Sequence, residues 1–251
     1  IGGTSADVAF VTGGRAEISQ SEHVADFPIM MPVVGVSSIG AGGGSIVALD
    51  EAGVLRIGPE SVGSDPGPAC YGRGGHHAAI TDAFLAGGYI NPANFAGGRI
   101  RLDGELARTA LEPIASGLGT DLGGAVAGVL DVAVATLHAE LSNLSAQRGV
   151  DPRDYTLVSF GGAGSLVACR VADEFGIARV VVPLEPGTLC AMGAMSADVA
   201  SHFVRSIVLP LDDARDAIRD AYLKLEADAR RWLEAEAPTL QAFELLAHAD
   251  M

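Results

Sequence analysis

The sequence predicts an α/β fold on three observations. The apolar run of residues 155–160 ends in the glycine-rich stretch 161–164, and apolar side chains at helical spacing follow as far as Phe175, the pattern of a strand, a glycine turn and a helix. Short apolar runs separated by glycine turns over residues 8–57 are typical of β-hairpins. Residues 102–149 repeat apolar side chains every three or four positions, which predicts amphipathic helices. The chain therefore combines strands with helices.

The first part of the chain predicts two hairpins. In the first, the apolar run 8–11 is joined by a Gly-Gly turn to a strand near residues 16–18. In the second, residues 46–49 and 54–57 are strands on either side of an Asp-Glu-Ala-Gly turn. A further apolar run covers residues 33–36. This region should be mostly β-structure.

Two helices are predicted in the middle of the chain, each with an aspartate at its start. Asp103 is the expected N-cap of the first helix, and Asp121 is the expected N-cap of a longer helix that ends at Gly149. The expected apolar positions are Leu106, Ala110, Leu111 and Ile114 in the first helix, and Val126, Leu130, Leu137, Leu141 and Leu144 in the second.

The C-terminal part of the chain mixes strands and helices. The β-branched run within residues 178–183 predicts a buried strand. Small residues over 185–195 predict a tightly packed loop and a short helix, and residues 202–209 predict another strand. Residues 212–237 form the last expected helix, which is charged and solvated apart from one face with Ile218, Leu225 and Trp232.

Composition narrows the classes of partner. The chain has 251 residues, 49% of them hydrophobic, which is enough for a packed core. A net charge of −15 argues against nucleic acid or an anionic membrane surface as a partner. No run approaches the roughly 20 uninterrupted apolar residues of a membrane span. Three widely separated cysteines without a C-x-x-C pair predict neither a disulfide framework nor a zinc ribbon, and suit the cytoplasm.

Two glycine-rich turns are candidate anion sites. Gly2, Gly3, Thr4 and Ser5 combine a flexible backbone with hydroxyl donors, and Asp7 follows as a candidate holder of a metal-bound water; a polar hairpin end, with Asp7 accepting turn N–H groups, is the alternative. The second candidate comprises Gly161, Gly162 and Gly164, where a phosphate or nucleotide could approach unpaired N–H groups at the start of a helix. Its alternative is a plain structural turn, since Val167 occupies the third glycine position of the dinucleotide fingerprint.

Two further segments have a concentration of unusual residues. Four glycines within residues 39–45, among them Gly42 and Gly43 before Ser45, predict a close backbone approach to a ligand or to another segment. The long loop 63–75 carries Asp65 and Cys70, with Cys70 either a nucleophile or a small buried thiol. A metal site of Asp65, Cys70, His76, His77 and Asp82 is disfavoured, because their spacing matches no compact ligand set.

Taken together, seven segments in order along the chain resemble the hydantoinase A / 5-oxoprolinase family. They are residues 2–7, 39–46, 58–61, 65–75, 81–83, 148–154 and 160–164. The resemblance implies one lobe of an actin-like, sugar-kinase-like (ribonuclease H-like) ATPase, with a mixed sheet and flanking helices. It also implies that Gly2, Gly3, Thr4, Ser5 and Asp7 form the second phosphate motif and that Gly161, Gly162 and Gly164 form the adenosine-side motif.

The activity that the resemblance implies is ATP-dependent hydrolysis of a cyclic amide. ATP with Mg²⁺ would phosphorylate the amide oxygen of a hydantoin or lactam, with Asp7 near the metal and a B-type subunit or domain as partner; a homo-oligomer is a further expectation. The alternatives are a subunit of an ATP-dependent acetone or acetophenone carboxylase and a non-catalytic nucleotide-binding module. Loop residues Gly42, Gly43, Ser45, Asp65 and Cys70 are the candidates for substrate contact or loop structure.

Several positions depart from the family pattern. The resemblance implies Pro-Leu-His after the adenosine motif, where this chain has Ser165, Leu166 and Val167; Gly35 stands where an acidic residue is common, and Ala6 replaces a Thr. The family's first phosphate motif is absent from residues 1–251, and residues 247–251 resemble the start of a segment that continues in the family. The expectation is a catalytic-region fragment spanning residues 1–251.

Overall fold

The computed structural model describes residues 1–19, 23–24, 27–28, 33–210, 213–236 and 242–249. The chain divides into unit 1, Ile1–Ser196, and unit 2, Ala197–Met251. Unit 1 contains both helices and paired strands, so the predicted α/β class is confirmed. Its strands are β1 Ala6–Val8, β2 Val11–Thr12, β3 Arg15–Ala16, β4 Ile18–Ser19, β5 His23–Val24, β6 Phe27–Pro28, β7 Val33–Val34, β8 Ser37–Ile39, β9 Ser45–Leu49, β10 Leu55–Ser61, β11 Leu157–Val158 and β12 Val180–Val181.

The described strands associate in pairs. The pairs β1–β8, β2–β3, β4–β7, β5–β6 and β9–β10 are antiparallel, and β11–β12 is parallel. Both orientations of a mixed sheet are therefore present, but among the described residues they do not join into one continuous sheet.

Both predicted hairpins form, but the first comprises only β2 and β3, because Val8 belongs to β1 and Ile18 to β4. Strands β2 and β3 join through Gly13 and Gly14, whose φ angles of 60° and 77° are those of the turn that matches strand twist. Strands β9 and β10 join through a turn in which the Asp50 carboxylate accepts N–H bonds from Ala52 at 3.0 Å and Val54 at 2.9 Å. These bonds and the Arg56 guanidinium hold the pKa of Asp50 below its usual range.

The helices of unit 1 begin and end close to the predicted residues. Asp103 accepts N–H bonds at the start of α2, and Asp121 accepts one from Gly124 at 2.7 Å at the start of α3. Gly149 ends α3 with φ 64°, as a left-handed C-cap. The helices are α1 Ile80–Ala86, α2 Gly104–Leu118, α3 Leu122–Arg148, α4 Gly164–Phe175 and α5 Leu189–Ser196.

The core of unit 1 lies around α3. Phe84 of α1, Leu111 of α2, Val129 of α3 and Val167 of α4 belong to one buried cluster, and Val47 of β9 joins them. Leu106 was predicted on the apolar face of α2 but is 40% exposed. Its neighbour Ala107 is fully buried in a smaller cluster with Cys70 and Leu102, so the buried face of α2 includes Ala107 rather than Leu106.

Helix α3 is long and apolar enough, by length and composition alone, to cross a membrane. A core helix passes the same test, and in unit 1 its buried side chains, Val126, Val129, Leu130 and Leu137 among them, belong to the core cluster. Asp131 on the same helix forms an ion pair with Arg170 of α4 at 2.6 Å. The helix thus has partners within unit 1 along its apolar face.

Two predictions about residues 178–196 are wrong. The β-branched run was expected to be buried, but Val181 and Val182 are 47% and 45% exposed, because among the described strands β12 pairs with β11 alone and one side of this pair is open. The short helix α5 exists, yet it has no buried residue, so the expected tight packing is absent. Small residues permitted close packing without requiring it.

Unit 2 is built on α6, Arg215–Glu236, close to the predicted helix at residues 212–237. Ile218, Leu225 and Trp232 are half-buried on one face, and Phe203 meets Trp232 edge to face at 6.4 Å. The predicted strand at residues 202–209 is wrong: this segment is described throughout and pairs with no described strand. Val204 and Val208 in this segment are exposed instead.

Candidate functional site

Three glycine-rich loops, distant in sequence, come together in unit 1. We call residues 2–5 the N-terminal loop, residues 42–45 the central loop and residues 161–164 the α4 loop. The N-terminal loop leads into β1, the central loop into β9 and the α4 loop into α4. The sequence marks each of them separately, and the structure brings them into contact.

The central loop packs against the N-terminal loop and is hydrogen-bonded to it. The Gly43 N–H donates to the Gly2 carbonyl at 3.0 Å, and the Gly44 N–H donates to the Gly3 carbonyl at 2.5 Å. A Cβ atom at Gly42 would lie 2.6 Å from the Thr4 carbonyl carbon, and one at Gly44 would lie 2.8 Å from the Gly3 oxygen. Glycine is required here because backbone meets backbone. The predicted close backbone approach therefore occurs, and it is to another segment of the chain, the N-terminal loop.

The α4 loop contacts the N-terminal loop through Ile1. The Ile1 nitrogen donates to the Phe160 carbonyl at 2.7 Å, and the Ala163 N–H donates to the Ile1 carbonyl at 3.2 Å. Gly161 has φ 86°, and a side chain there would overlap the Ile1 carbonyl. A Cβ at Gly43 would lie 3.5 Å from the Cβ of Ala163, so the central loop also contacts the α4 loop.

The N-terminal and α4 loops present main-chain donors. Within the described chain, the N–H groups of Gly3, Thr4 and Ser5 donate to no protein acceptor, and the same holds for Gly162 and Ser165. Unpaired N–H groups at a helix start, as in α4, carry partial positive charge and attract anions. Cβ atoms built at Gly3 and at Gly162 have nothing within 4 Å, so both positions border open space. This arrangement suits a phosphate-bearing ligand.

We call the N-terminal and α4 loops together the cradle. Asp7 is exposed on β1, two residues after the N-terminal loop. In the antiparallel register it stands opposite Ser38 of β8, whose hydroxyl donates to one carboxylate oxygen, while the Ser5 hydroxyl donates to the other at 3.4 Å. The alternative role for Asp7, acceptor of turn N–H groups, is not what the described residues show. Carboxylate and hydroxyl oxygens next to unpaired N–H groups can hold a hydrated Mg²⁺ beside a phosphate.

Ser45, Gly42 and Gly43 are buried and form the support of the site. The Ser45 hydroxyl is fully buried and accepts the Gly42 N–H at 2.9 Å. A further support, to which the sequence alone gave no role, is Thr81 in the first turn of α1: its hydroxyl donates to the Gly43 carbonyl at 2.8 Å. Ser38 was also missed, and its place opposite Asp7 follows only from strand pairing.

Cys70 lies apart from the three loops, in a buried anchor of the loop 63–75. Its thiol is completely buried beside Asp82, and desolvation raises the pKa of Cys70 far above its usual range. The Asp82 carboxylate accepts N–H bonds from Cys70 at 2.8 Å and Ala79 at 2.9 Å, and burial raises the pKa of Asp82. The buried-thiol alternative thus describes Cys70, while Asp65 is exposed on the same loop.

No group of three or more His, Cys, Asp or Glu side chains with metal-binding geometry occurs in the described ranges. Val167, the departure from the family pattern, is buried under the α4 loop and lines a small apolar cavity of about 20 Å³ with Phe84 and Leu137.

Proteins of known family are similar to this chain over most of its length. The family model described as hydantoinase/oxoprolinase matches residues 1–203. The caprolactamase subunit alpha of Pseudomonas jessenii is 37% identical over 214 residues, which cover 85% of this chain and 31% of that protein. A 5-oxoprolinase of Pestalotiopsis fici is 35% identical over 210 residues, covering 79% of this chain and 16% of that protein.

Two solved structures are similar to this chain. Nucleotide-free acetone carboxylase has a TM-score of 0.80 at 30% identity, covering 94% of this chain and 34% of that one. The ATP-dependent caprolactamase of Pseudomonas jessenii has a TM-score of 0.75 at 33% identity, covering 94% of this chain and 35% of that one. The chain thus spans about a third of the length of these two. The match over residues 1–203 establishes that the chain belongs to the hydantoinase/oxoprolinase family.

Proposed function

We propose that this chain provides part of the ATP site of an ATP-dependent hydrolase of cyclic amides. The observation that carries the proposal is the meeting of the N-terminal and α4 loops, about 160 residues apart in sequence, through Ile1 and residues 160–163. Each loop presents N–H groups without a protein acceptor in the described chain, and both border open space. One nucleotide can therefore contact both loops.

The roles of the residues follow from their place in the cradle. Gly3, Thr4 and Ser5 donate main-chain N–H groups to phosphate oxygens, and the open face at Gly162 receives the adenosine side. Asp7 holds a metal-bound water through its exposed carboxylate. Mg-ATP, when bound, would supply the phosphoryl group that activates the amide carbon of a cyclic imide or lactam for attack by water, after which the ring C–N bond breaks, and the metal would neutralise phosphate charge.

The wider assignment rests on the same family. We propose an actin-like, sugar-kinase-like lobe for unit 1, a B-type subunit or domain as partner, and a cytoplasmic location. Support for a partner comes from the caprolactamase relative, which is named as a subunit, and support for ATP use comes from a solved relative described as ATP-dependent. A homo-oligomer is a further proposal.

A ketone carboxylase subunit is the second candidate, supported by the TM-score of 0.80 with acetone carboxylase. A non-catalytic nucleotide-binding module is the third, supported by the apolar burial of Val167, where the family pattern has a histidine. The three candidates share the cradle and differ in the chemistry that comes after nucleotide binding.

Calorimetric titration with Mg-ATP tests the shared step. Gly162→Val should abolish binding while the variant stays folded, because its Cβ enters open space at the α4 loop. Gly104→Val is the matched control: its Cβ also has nothing within 4 Å, and it lies at the start of α2, outside the three loops. Equal affinity in the parent and both variants would remove the α4 loop from the site.

Substrate-dependent ATP hydrolysis separates the candidates. In the assembled enzyme, with its partner subunit, a hydantoin, 5-oxoproline or a larger lactam should stimulate phosphate release without bicarbonate. Absolute dependence on bicarbonate with a ketone substrate would select the carboxylase. Nucleotide binding with no stimulation by any substrate in the complete assembly would select the non-catalytic module.

A further inference from the structure

Thr81 makes two hydrogen bonds to one carbonyl group of the central loop. Its main-chain N–H and its hydroxyl both donate to the Gly43 oxygen, each at 2.8 Å, and the side chain is buried. A threonine in the first turn of a helix commonly bonds to its own backbone. Here the hydroxyl instead reaches a residue 38 positions earlier in the sequence.

The bonds continue from Gly43 to the N-terminal loop. The Gly43 N–H donates to the Gly2 carbonyl, and the neighbouring Gly44 N–H donates to the Gly3 carbonyl. The carbonyls of Gly2 and Gly3 belong to the peptide groups whose other ends are the N–H groups of Gly3 and Thr4. Because each peptide group is planar, holding its carbonyl also orients its N–H.

Close packing leaves these groups little room. A Cβ at Gly43 would lie 3.1 Å from the Thr81 hydroxyl, and one at Gly42 would lie 2.7 Å from the Gly3 carbonyl. The central loop therefore packs against the Thr81 hydroxyl on one side and against the N-terminal loop on the other. Hydrogen bonds thus connect Thr81 to the N-terminal loop through Gly43 and Gly44.

We propose that Thr81 is a positioning residue that orients the phosphate-binding N–H groups of the N-terminal loop. The inference rests on the proposed function for its ligand, and on hydrogen bonds alone for its structural half. It predicts a specific dependence: affinity for the phosphate end of the nucleotide falls when the Thr81 hydroxyl is lost, and affinity for the adenosine end, at the α4 loop, does not.

The test compares Thr81→Val with Thr81→Ser. Valine has the shape of threonine without the donor, whereas serine keeps the hydroxyl. In calorimetric titrations, Thr81→Val should weaken Mg-ATP binding about tenfold, the effect of losing one buried hydrogen bond, and should leave adenosine binding unchanged. Thr81→Ser should restore Mg-ATP binding to within about twofold of the parent.

Thr136→Val is the matched control. The Thr136 hydroxyl also donates to a main-chain carbonyl, that of Val132 at 2.9 Å, but within α3 and outside the three loops. It should leave both affinities unchanged. Equal losses for Mg-ATP and adenosine in Thr81→Val, or no rescue by serine, would assign Thr81 a general structural role and overturn the proposal.

Amide hydrogen exchange without nucleotide separates this inference from the proposed function. The N–H groups of Gly43 and Gly44 are buried and bonded to the N-terminal loop, so Thr81→Val should raise their exchange rate, and Thr136→Val should not. If the parent binds no Mg-ATP but this rate rises, the proposed function fails and the positioning of the loop stands. If the rate is unchanged, the positioning role is refuted whatever binds.

Discussion

Gly42→Ala is predicted to damage the site and the stability of unit 1 together. The new Cβ would stand 2.6 Å from the Thr4 carbonyl carbon, while ordinary contacts begin at 3.4 Å. The N-terminal loop must therefore move by the difference, about 0.8 Å. Overpacking of this kind costs about 1–3 kcal/mol, which lowers Tm by several degrees at roughly 2–4 °C per kcal/mol for a chain of this size.

The same displacement should weaken Mg-ATP binding at least about tenfold, because it shifts the phosphate-binding N–H groups by a large part of an ångström. Differential scanning calorimetry gives Tm, and isothermal titration gives the affinity. Gly104→Ala is the control, since its Cβ meets nothing within 4 Å, and it should keep both values or raise Tm. An unchanged Tm and affinity in Gly42→Ala would refute the close contact between the two loops.

Three further predictions concern groups outside the three loops. In native protein, iodoacetamide should label the exposed thiols of Cys169 and Cys190 and spare Cys70, as read by peptide mass spectrometry. Asp82→Ala should lower the free energy of unfolding in urea by about 3 kcal/mol or more, because three main-chain N–H groups lose a buried acceptor. The Arg153 guanidinium and the Arg153 main-chain N–H donate to the Asp151 carboxylate and lower its pKa to about 2, so its stabilising effect is complete above the unfolded value near 4 and is lost as pH falls through about 2. The difference in Tm between the parent and Asp151→Asn should accordingly shrink between pH 5 and pH 2.

Each of these has a contradicting result. Labelling of Cys70 as fast as the other two thiols would contradict its burial. A loss below about 1 kcal/mol for Asp82→Ala would mean that water replaces the carboxylate. If the difference in Tm between the parent and Asp151→Asn does not change with pH, the ion pair of Asp151 with Arg153 contributes nothing measurable to stability, which is common for exposed ion pairs.

Local chemistry made much of the fold predictable. Asp103, Asp121 and Gly149 act through their own neighbours in sequence, as N-caps and a C-cap, and the structure has them in those roles. The Gly13 and Gly14 turn is a similar case, because positive φ angles at both positions select one hairpin geometry.

The features that could not be predicted depend on distant neighbours. The run around Val181 has the composition of a buried strand, but burial is decided by the groups that lie on each side of the sheet, and one side of this pair is open. The site shows the same limit. Glycine content marked the three loops, whereas their contact, the pairing of Asp7 with Ser38 and the bond from Thr81 to Gly43 arise from tertiary packing.

If the N-terminal and α4 loops bind one nucleotide, amide hydrogen exchange with and without Mg-ATP should detect that nucleotide at both loops. The N–H groups of Gly3 to Ser5 and of Gly162 and Ser165 donate to no acceptor in the described chain, so bound phosphate and adenosine should slow their exchange. We expect protection of both segments, with the same midpoint in a titration with Mg-ATP. Protection of only one segment, or of neither while Mg-ATP is bound elsewhere, would contradict it.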